Sequence, residues 1–354
     1  QEWRSAQEHF QRALSLSPHS SFEFDLYFAL GRVNLAQNRA DKAIRELRKA
    51  LRLTDAQPEA SVVLAEALLA RDQVEAARAA FDHIGRQNVQ DAHAHLIDAR
   101  ISARQDRQQQ AFDAFQAATR ADGKPNELLS AHTGAARAAL ELGMFDAANA
   151  HLAMATGFAR GEPRAELHLL QGLVHEGKGN LETARDEYDA ALAQHPLHGD
   201  ALLGAGRIAL ATDRAQDALD FFRQSMDATI HRDIEASLLG MGKARLGLGD
   251  LSGARQVLEE ASKVRLDAPS RRDEPNAEVL EVLGEVALAT GDYAEAVVAL
   301  REAGENARAP EAVERIDNLL QQALDQLRPK WDLPPALDEP MQLERLLHAV
   351  QEYI

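Results

Sequence analysis

Thirteen histidines are the side chains best suited to acid–base or metal chemistry in this 354-residue sequence, and their spacing argues against both. His93 and His95 flank Ala94, and residues two apart point to different sides of a helix, so the two rings cannot chelate together. His95, His132 and His168 recur at long, nearly equal intervals, with His175 seven residues after His168. Zinc needs each ligand nitrogen about 2 Å away, and no carboxylate or third histidine completes such a set by spacing. These histidines are expected to pack in place of aromatic rings, and no metal site is expected. The chain has no cysteine, which excludes disulfides, iron–sulfur clusters, thiolate zinc sites and a cysteine nucleophile. Gly240-Met241-Gly242-Lys243-Ala244 lacks the spacing and the Ser/Thr of a phosphate-binding loop. His-Glu-x-x-His is absent, and Ser-x-x-Lys or Gly-x-Ser-x-Gly does not occur in a suitable context. No catalytic residue and no cofactor are predicted.

Binding chemistry is better supplied. Arg32, Arg100, Arg137, Arg207 and Lys243 each directly follow a glycine or alanine, and those small residues belong to a repeat. An alanine recurs at Ala6, Ala43, Ala77, Ala111, Ala148, Ala184, Ala218, Ala254 and Ala296. The successive intervals are 37, 34, 34, 37, 36, 34, 36 and 42 residues. Four residues on stands a large apolar side chain: Phe10, Leu47, Phe81, Phe115, Leu152, Tyr188, Phe222, Leu258 or Leu300. Twelve residues before the alanine stands a second small residue: Gly31, Ala65, Ala99, Ala136, Gly172, Gly206, Gly242 or Gly284. Such a period marks stacked repeats, and each unit reads as two helical segments that cannot bury their apolar faces alone. Turn signals separate them, as in Leu142-Gly143-Met144-Phe145-Asp146 and Thr290-Gly291-Asp292-Tyr293. Glycine there suits a left-handed helix end, and aspartate a helix start.

These residues resemble the tetratricopeptide repeat over positions 1 to about 309. The resemblance implies an all-α fold, a right-handed α-solenoid (a superhelix) of antiparallel helix pairs. Residues 1–19 read as the second helix of a repeat whose first helix is missing, and 20–309 as eight helix pairs. Residues 310–328 read as a capping helix without repeat signature. Prolines at 329, 334, 335 and 340 predict an extended linker over 329–340. Leu343, Leu346, Leu347, Val350 and Tyr353 then give a terminal amphipathic helix over 341–354. Extra residues at Ser20–Glu23, Asp122–Leu128 and Asp267–Asn276 are expected to lengthen turns between repeats.

In this family the first helices line the inner wall at repeat positions 2, 5, 9 and 12, among others. With the first-helix small residue as position 8, position 9 reads Arg32, Glu66, Arg100, Arg137, Leu173, Arg207, Lys243 and Glu285. Position 5 supplies Phe28, Leu96, Leu169, Leu203 and Leu239, and position 12 is mostly leucine. The resemblance thus implies a groove with an apolar floor and a basic column. Its ligand-binding residues would be Phe28, Arg32, Leu96, Arg100, Arg137, Leu169, Leu203, Arg207, Leu239 and Lys243. Arginine grips carboxylates bidentately and leucine supplies burial, so a protein or peptide segment carrying both features would suit it. The alternative is that each base pairs with an acid one helix over within the stack. The family's carboxylate clamp for chaperone tails is disfavoured, because Phe28, Arg32 and Val63 stand where its Lys and Asn residues belong.

Composition narrows the partners. The net charge of −17 argues against binding a phosphate backbone, so no nucleic acid is expected. Aromatics are only 5% of residues, as suits crossings built on Ala and Gly. No apolar run is long enough to span a membrane. The opening at Gln1, without basic and apolar leader regions, reads as a fragment of a longer array with no signal peptide. Thirty-two arginines against seven lysines suggest a GC-rich bacterial genome, and the compartment stays open between cytoplasm and periplasm. The expected function is a non-catalytic scaffold for a protein partner. Two alternatives are a regulatory segment of a larger signalling protein and a self-assembly module, monomeric or dimerising through its tail.

Overall fold

The computed structural model describes residues 2–16, 20–54, 57–82, 91–159, 163–228, 233–266 and 276–331. Eighteen α-helices run through them, and the described residues contain no strand beyond one isolated bridge between Asp91 and Asp122. The first ten are α1 (Glu2–Ser15), α2 (Ser20–Ala36), α3 (Ala40–Leu53), α4 (Pro58–Leu69), α5 (Val74–Asp82), α6 (Ala92–Arg104), α7 (Gln108–Arg120), α8 (Pro125–Glu141), α9 (Phe145–Phe158) and α10 (Pro163–Gly177). Then follow α11 (Leu181–Gln194), α12 (Gly199–Ala211), α13 (Ala215–Met226), α14 (Ile234–Gly247), α15 (Leu251–Leu266), α16 (Ala277–Thr290), α17 (Tyr293–Asn306) and α18 (Pro310–Trp331). The chain divides into two units, Gln1–Gly179 and Asn180–Ile354.

In the first unit α2 packs on α3, α4 on α5, α6 on α7 and α8 on α9. Each second helix also touches the next first helix, and consecutive first helices touch one another from α2 to α10. In the second unit the pairs are α12 with α13, α14 with α15 and α16 with α17, with α18 against α17 and α16. The contacts between α12, α14, α16 and α18 continue the first-helix row there.

The alanine column explains these contacts. Ala43, Ala77, Ala111, Ala148, Ala184, Ala218, Ala254 and Ala296 are all fully buried, as small residues at helix crossings must be. The large residues four positions on are buried too, from Leu47 to Leu300. Phe222 shows how closely the helices approach. A Cβ at Gly206, within its own repeat, would lie 2.6 Å from its ring, and one at Gly240, in the next repeat, would lie 2.5 Å away.

The turns within repeats use one backbone device throughout the described residues. One residue per turn takes left-handed geometry: Asn38, Asp72, Asp106, Gly143, Gly179, Asp213, Gly249 and Gly291. Gly143 and Gly291 take the role the sequence predicts for them. At the turns without glycine there, Asn or Asp takes it directly, since their short polar side chains tolerate this region better than other non-glycine residues.

Three expectations need correction. Ser20–Glu23 do not lengthen a turn but form the first turn of α2. Residues 125–128 likewise begin α8, with Pro125 at its start and the Glu127 carboxylate accepting from the Lys124 backbone N–H at 2.8 Å. Both helices reach 17 residues because the added residues continue the helical hydrogen bonding. The capping helix α18 runs past residue 328 to Trp331, through Pro329. One proline removes a single N–H donor and bends a helix without necessarily ending it there. The rest of the linker, from 332, and the terminal helix at 341–354 lie outside the described residues, as does the insertion from 267 to 275.

Candidate functional site

In the first unit the wall begins with an aromatic–cation stack on α2. Phe24 and Phe28 lie parallel with ring centroids 5.9 Å apart, and the exposed Arg32 guanidinium sits 5.8 Å from the Phe28 centroid. The three residues are four apart, so they share one helix face. Leu35 and Leu69, at position 12, are half-buried beside this row. On α4 position 9 is Glu66, which faces His93 of α6 across 3.4 Å. The hydrogen bond to Glu66, opposed in part by burial, raises the His93 pKa above its ordinary value. Arg100 on α6 is exposed, and among the described residues it has no hydrogen-bond or ion-pair partner. Arg137 on α8 differs, because its guanidinium donates to Glu166 of α10.

In the second unit Arg207 on α12 is exposed, while the Lys243 ammonium on α14 lies 2.5 Å from the Glu278 carboxylate on α16. These three pairs share a geometry, position 9 of one repeat meeting position 2 of the next, which Arg32 does not adopt with Glu59. The basic column is therefore partly consumed within the stack, at Arg137 and Lys243. At Arg100 the next position 2 is Ser130, which offers no charge.

The apolar floor also needs correction. Leu96, Leu169, Leu203 and Leu239 are core residues, none more than 8% exposed. Position 5 points between neighbouring helices, so its leucines are spent on packing. Phe28 alone of the expected floor is half-buried. Within each unit the partly accessible apolar residues are at position 12 instead: Leu35, Leu69 and Leu140 in the first, Leu210, Leu246 and Leu288 in the second.

Two of the described histidines meet. His132 Nδ1 on α8 lies 3.1 Å from His151 Nδ1 on α9, so one neutral ring donates to the other. Phe158 stacks on His132 at 6.0 Å, and Phe112 meets His151 edge-on at 5.9 Å. Burial lowers both pKa values, helped by the neighbouring His151 charge at His132 and by Arg120 at His151. Among the described residues no three His, Asp or Glu side chains converge on a metal position.

The tetratricopeptide repeat profile matches residues 1–61, 133–192, 169–230 and 239–312, and a second profile of the same description matches 34–101. The chain belongs to the tetratricopeptide repeat family. Three solved structures share its fold. A chain in the APC/C hetero-tetramer Cut9–Hcn1 is 16% identical over 91% of this chain, with a TM-score of 0.61. Human IFIT1, solved as a dimer with m7Gppp-AAAA, is 14% identical over 86% of this chain and 71% of its own, with a TM-score of 0.55. Yeast Tom70 is 15% identical over 93% and 68%, with a TM-score of 0.52. The chain spans 59% of the length of the Cut9–Hcn1 chain it matches. No curated protein matches it. The fold class is therefore an all-α solenoid, in general terms a protein-interaction scaffold rather than a catalytic frame. No helix among the described residues is long and apolar enough to cross a membrane.

Against that tetratricopeptide frame the last repeat is the exception. Position 5, apolar or Thr elsewhere, is Glu281 here, and it is buried. Position 9 is Glu285, half-buried. Arg315 of α18 answers Glu281 with two hydrogen bonds, Nε to Oε1 at 2.5 Å and Nη2 to Oε2 at 3.0 Å. Together with Lys243, Leu246, Gly247, Glu278 and Val282 these residues line a cleft of about 540 Å³. The glutamate at position 5 is a visible departure in the sequence, whereas position 9 also holds Glu66 in another repeat. Arg315 carried no signal, because α18 lies outside the repeat register.

Proposed function

We propose that the tetratricopeptide array is a non-catalytic scaffold that holds a carboxylate-bearing protein segment against the first-helix wall of its first unit. The observation that carries the reading is the contrast within position 9. Arg137 and Lys243 already have carboxylate partners in the stack. Arg32 and Arg100 have none among the described residues, and both are exposed. Phe28, Leu35 and Leu69 lie half-buried on the same row of first helices and supply apolar contact. Arginine presents a planar fork of donors to a carboxylate, and a hydrogen bond to a charged group is worth about 1.5–3 kcal/mol. Two such contacts give a mid-sized affinity without requiring a deep pocket.

The test is affinity capture followed by crosslinking mass spectrometry, comparing Arg32→Glu/Arg100→Glu with Arg45→Glu/Arg48→Glu on the exposed face of α3. The first pair should lose the captured partner and its crosslinks to α2 and α6, while the second should keep them. Capture that survives the first pair unchanged sinks the wall assignment. Binding should also weaken with added salt, because the unpaired arginines are exposed.

A further inference from the structure

The cleft lined by α14, α16 and α18 carries a charge imbalance that its own residues do not resolve. Five charged side chains face it: Lys243, Glu278, Glu281, Glu285 and Arg315. Lys243 is taken by Glu278 at 2.5 Å and Arg315 by Glu281 through two hydrogen bonds. Glu285 is left over. It has no hydrogen bond or ion pair among the described residues, although it is half-buried on the cleft wall. Moving Lys243 from Glu278 to Glu285 would not change the balance, since Glu278 would then be the carboxylate without a cation. Burial, and after it the like charge of Glu281, push the Glu285 carboxyl above its usual range, against the weaker opposing pull of Lys243 and Arg315.

We propose that this cleft binds a cationic side chain, a guanidinium or ammonium presented by a protein segment, with Glu285 as its counter-ion. The cleft has room for a long cationic side chain with part of its backbone, because pockets for drug-sized ligands run from about 300 to 1,000 Å³ and this one is about 540 Å³. The half-buried Leu246 provides an apolar surface for the methylene stem, while the charged tip reaches the carboxylate. An anion would add to the existing excess of carboxylates. A metal ion is disfavoured by geometry, since no three carboxylates among the described residues converge on one point. The assignment is independent of the wall in the first unit, because every lining residue belongs to the second.

The experiment uses the full chain and two blocked tripeptides, Ac-Ala-Arg-Ala-NH2 and its citrulline counterpart, which keeps the shape and loses the charge. Saturation-transfer NMR titrations should show the arginine peptide binding and the citrulline peptide binding roughly tenfold or more weakly, the scale of a lost charged hydrogen bond. Glu285→Gln should reduce arginine-peptide binding by a similar factor, while Glu259→Gln/Glu260→Gln on the exposed face of α15 should leave it unchanged. Equal binding of the two peptides, equal binding by Glu285→Gln, or no binding of the arginine peptide overturns the proposal. If Glu285→Gln fails to melt cooperatively, the peptide comparison on the unmodified chain decides alone. Arg32→Glu/Arg100→Glu should leave this titration untouched, which separates the cleft from the wall.

Discussion

Glu281, buried on α16, takes both of its hydrogen bonds from the guanidinium of Arg315 on α18. The capping helix is thus held by a charged contact as well as by Ile316, Ala323, Leu324 and Leu327, which pack with Leu300 and Ala303 of α17. A buried carboxylate deprived of its partner is costly, about 3–5 kcal/mol when water stays out. Arg315 is more than half exposed, so water can reach the vacated place and the loss should fall to about 1–3 kcal/mol. Arg315→Ala is expected to show that loss, with faster amide exchange confined to α18 and α16. Glu281→Leu/Arg315→Leu should recover most of it, because leucine at position 5 is what four other repeats use. Urea denaturation with site-resolved hydrogen exchange reads both outcomes, and a double variant no better than the single one would contradict the account.

Phe222 gives a second prediction. Its ring fills the space that a side chain at Gly240 would need, so Gly240→Val forces two groups into one volume. Overpacking of that kind costs about 1–3 kcal/mol. Trimming the ring in Phe222→Leu should relieve it, so the double variant should be less unstable than the two single losses added together. A double-mutant cycle with no coupling would show that the two sites do not share the space. Two other repeats support coupling, although Phe81 shares its core cluster with Ile97 at position 6 of the next repeat. Phe115, Tyr188 and Phe222 each meet a glycine at position 6 of the next repeat, namely Gly134, Gly204 and Gly240. Leu47, Leu152 and Leu258 share their core clusters with Val63, Leu170 and Val282 at the same position.

That compensation was written in the sequence, yet only half of it was legible. The alanine column and the position 8 small residues located the helices and their crossings, because period and residue size are enough for that. The position 6 exchange of glycine against large rings is not visible within any one repeat, since it links residues in different repeats. Depth was harder still. Register assigns a residue to a face, but Leu96 and Leu35 share a wall while one is core and the other half-exposed. The difference arises from how closely the neighbouring helix approaches. The fate of Arg100 against Arg137 turned on a single residue in the following repeat, Ser130 against Glu166. The cleft needed Arg315, whose helix follows no repeat and therefore had no register to place it.

Two histidine sites should give opposite pH responses. His132 and His151 share one Nδ1–H···Nδ1 contact among Phe112 and Phe158, with Arg120 nearby, and their pKa values are lowered in the fold. A lowered value means the unfolded chain takes up the proton first. Their contribution is therefore complete above the unfolded pKa of about 6.5 and is lost as the pH falls through the lower folded values. When both rings are protonated, two N–H donors face each other with no acceptor between. His93 behaves in the opposite sense, because Glu66 raises its pKa. Its contribution is complete below the unfolded value and fades as the pH rises through the folded one. Urea midpoints measured from pH 5 to 8 should fall at the acid end, and His132→Phe should flatten that decline. His93→Gln should remove the smaller loss on the alkaline side. An acid decline that His132→Phe leaves unaltered would exclude the pair as its source.

Arg78 is the most deeply placed cation among the described residues, and its role is to join α5 to α6. Its guanidinium donates to Asp98 at 2.6 Å, to Ser102 at 2.9 Å and to Gln105 at 3.4 Å, all on α6 or just beyond it. Asp82, on its own helix, lies 3.6 Å away, and the Phe81 ring 5.9 Å. Such a fork satisfies several acceptors from one planar group, which an ammonium cannot reproduce. Arg78→Met should therefore leave Asp98 and Ser102 without their donor and cost about 3 kcal/mol. Arg78→Lys should recover less than half of that, because one point charge cannot reach Asp98, Ser102 and Gln105 together. Asp98→Asn, which keeps an acceptor for the guanidinium, should be milder than Arg78→Met. Full rescue by lysine in the urea midpoint would mean that charge alone, rather than the arrangement of donors, holds α5 against α6.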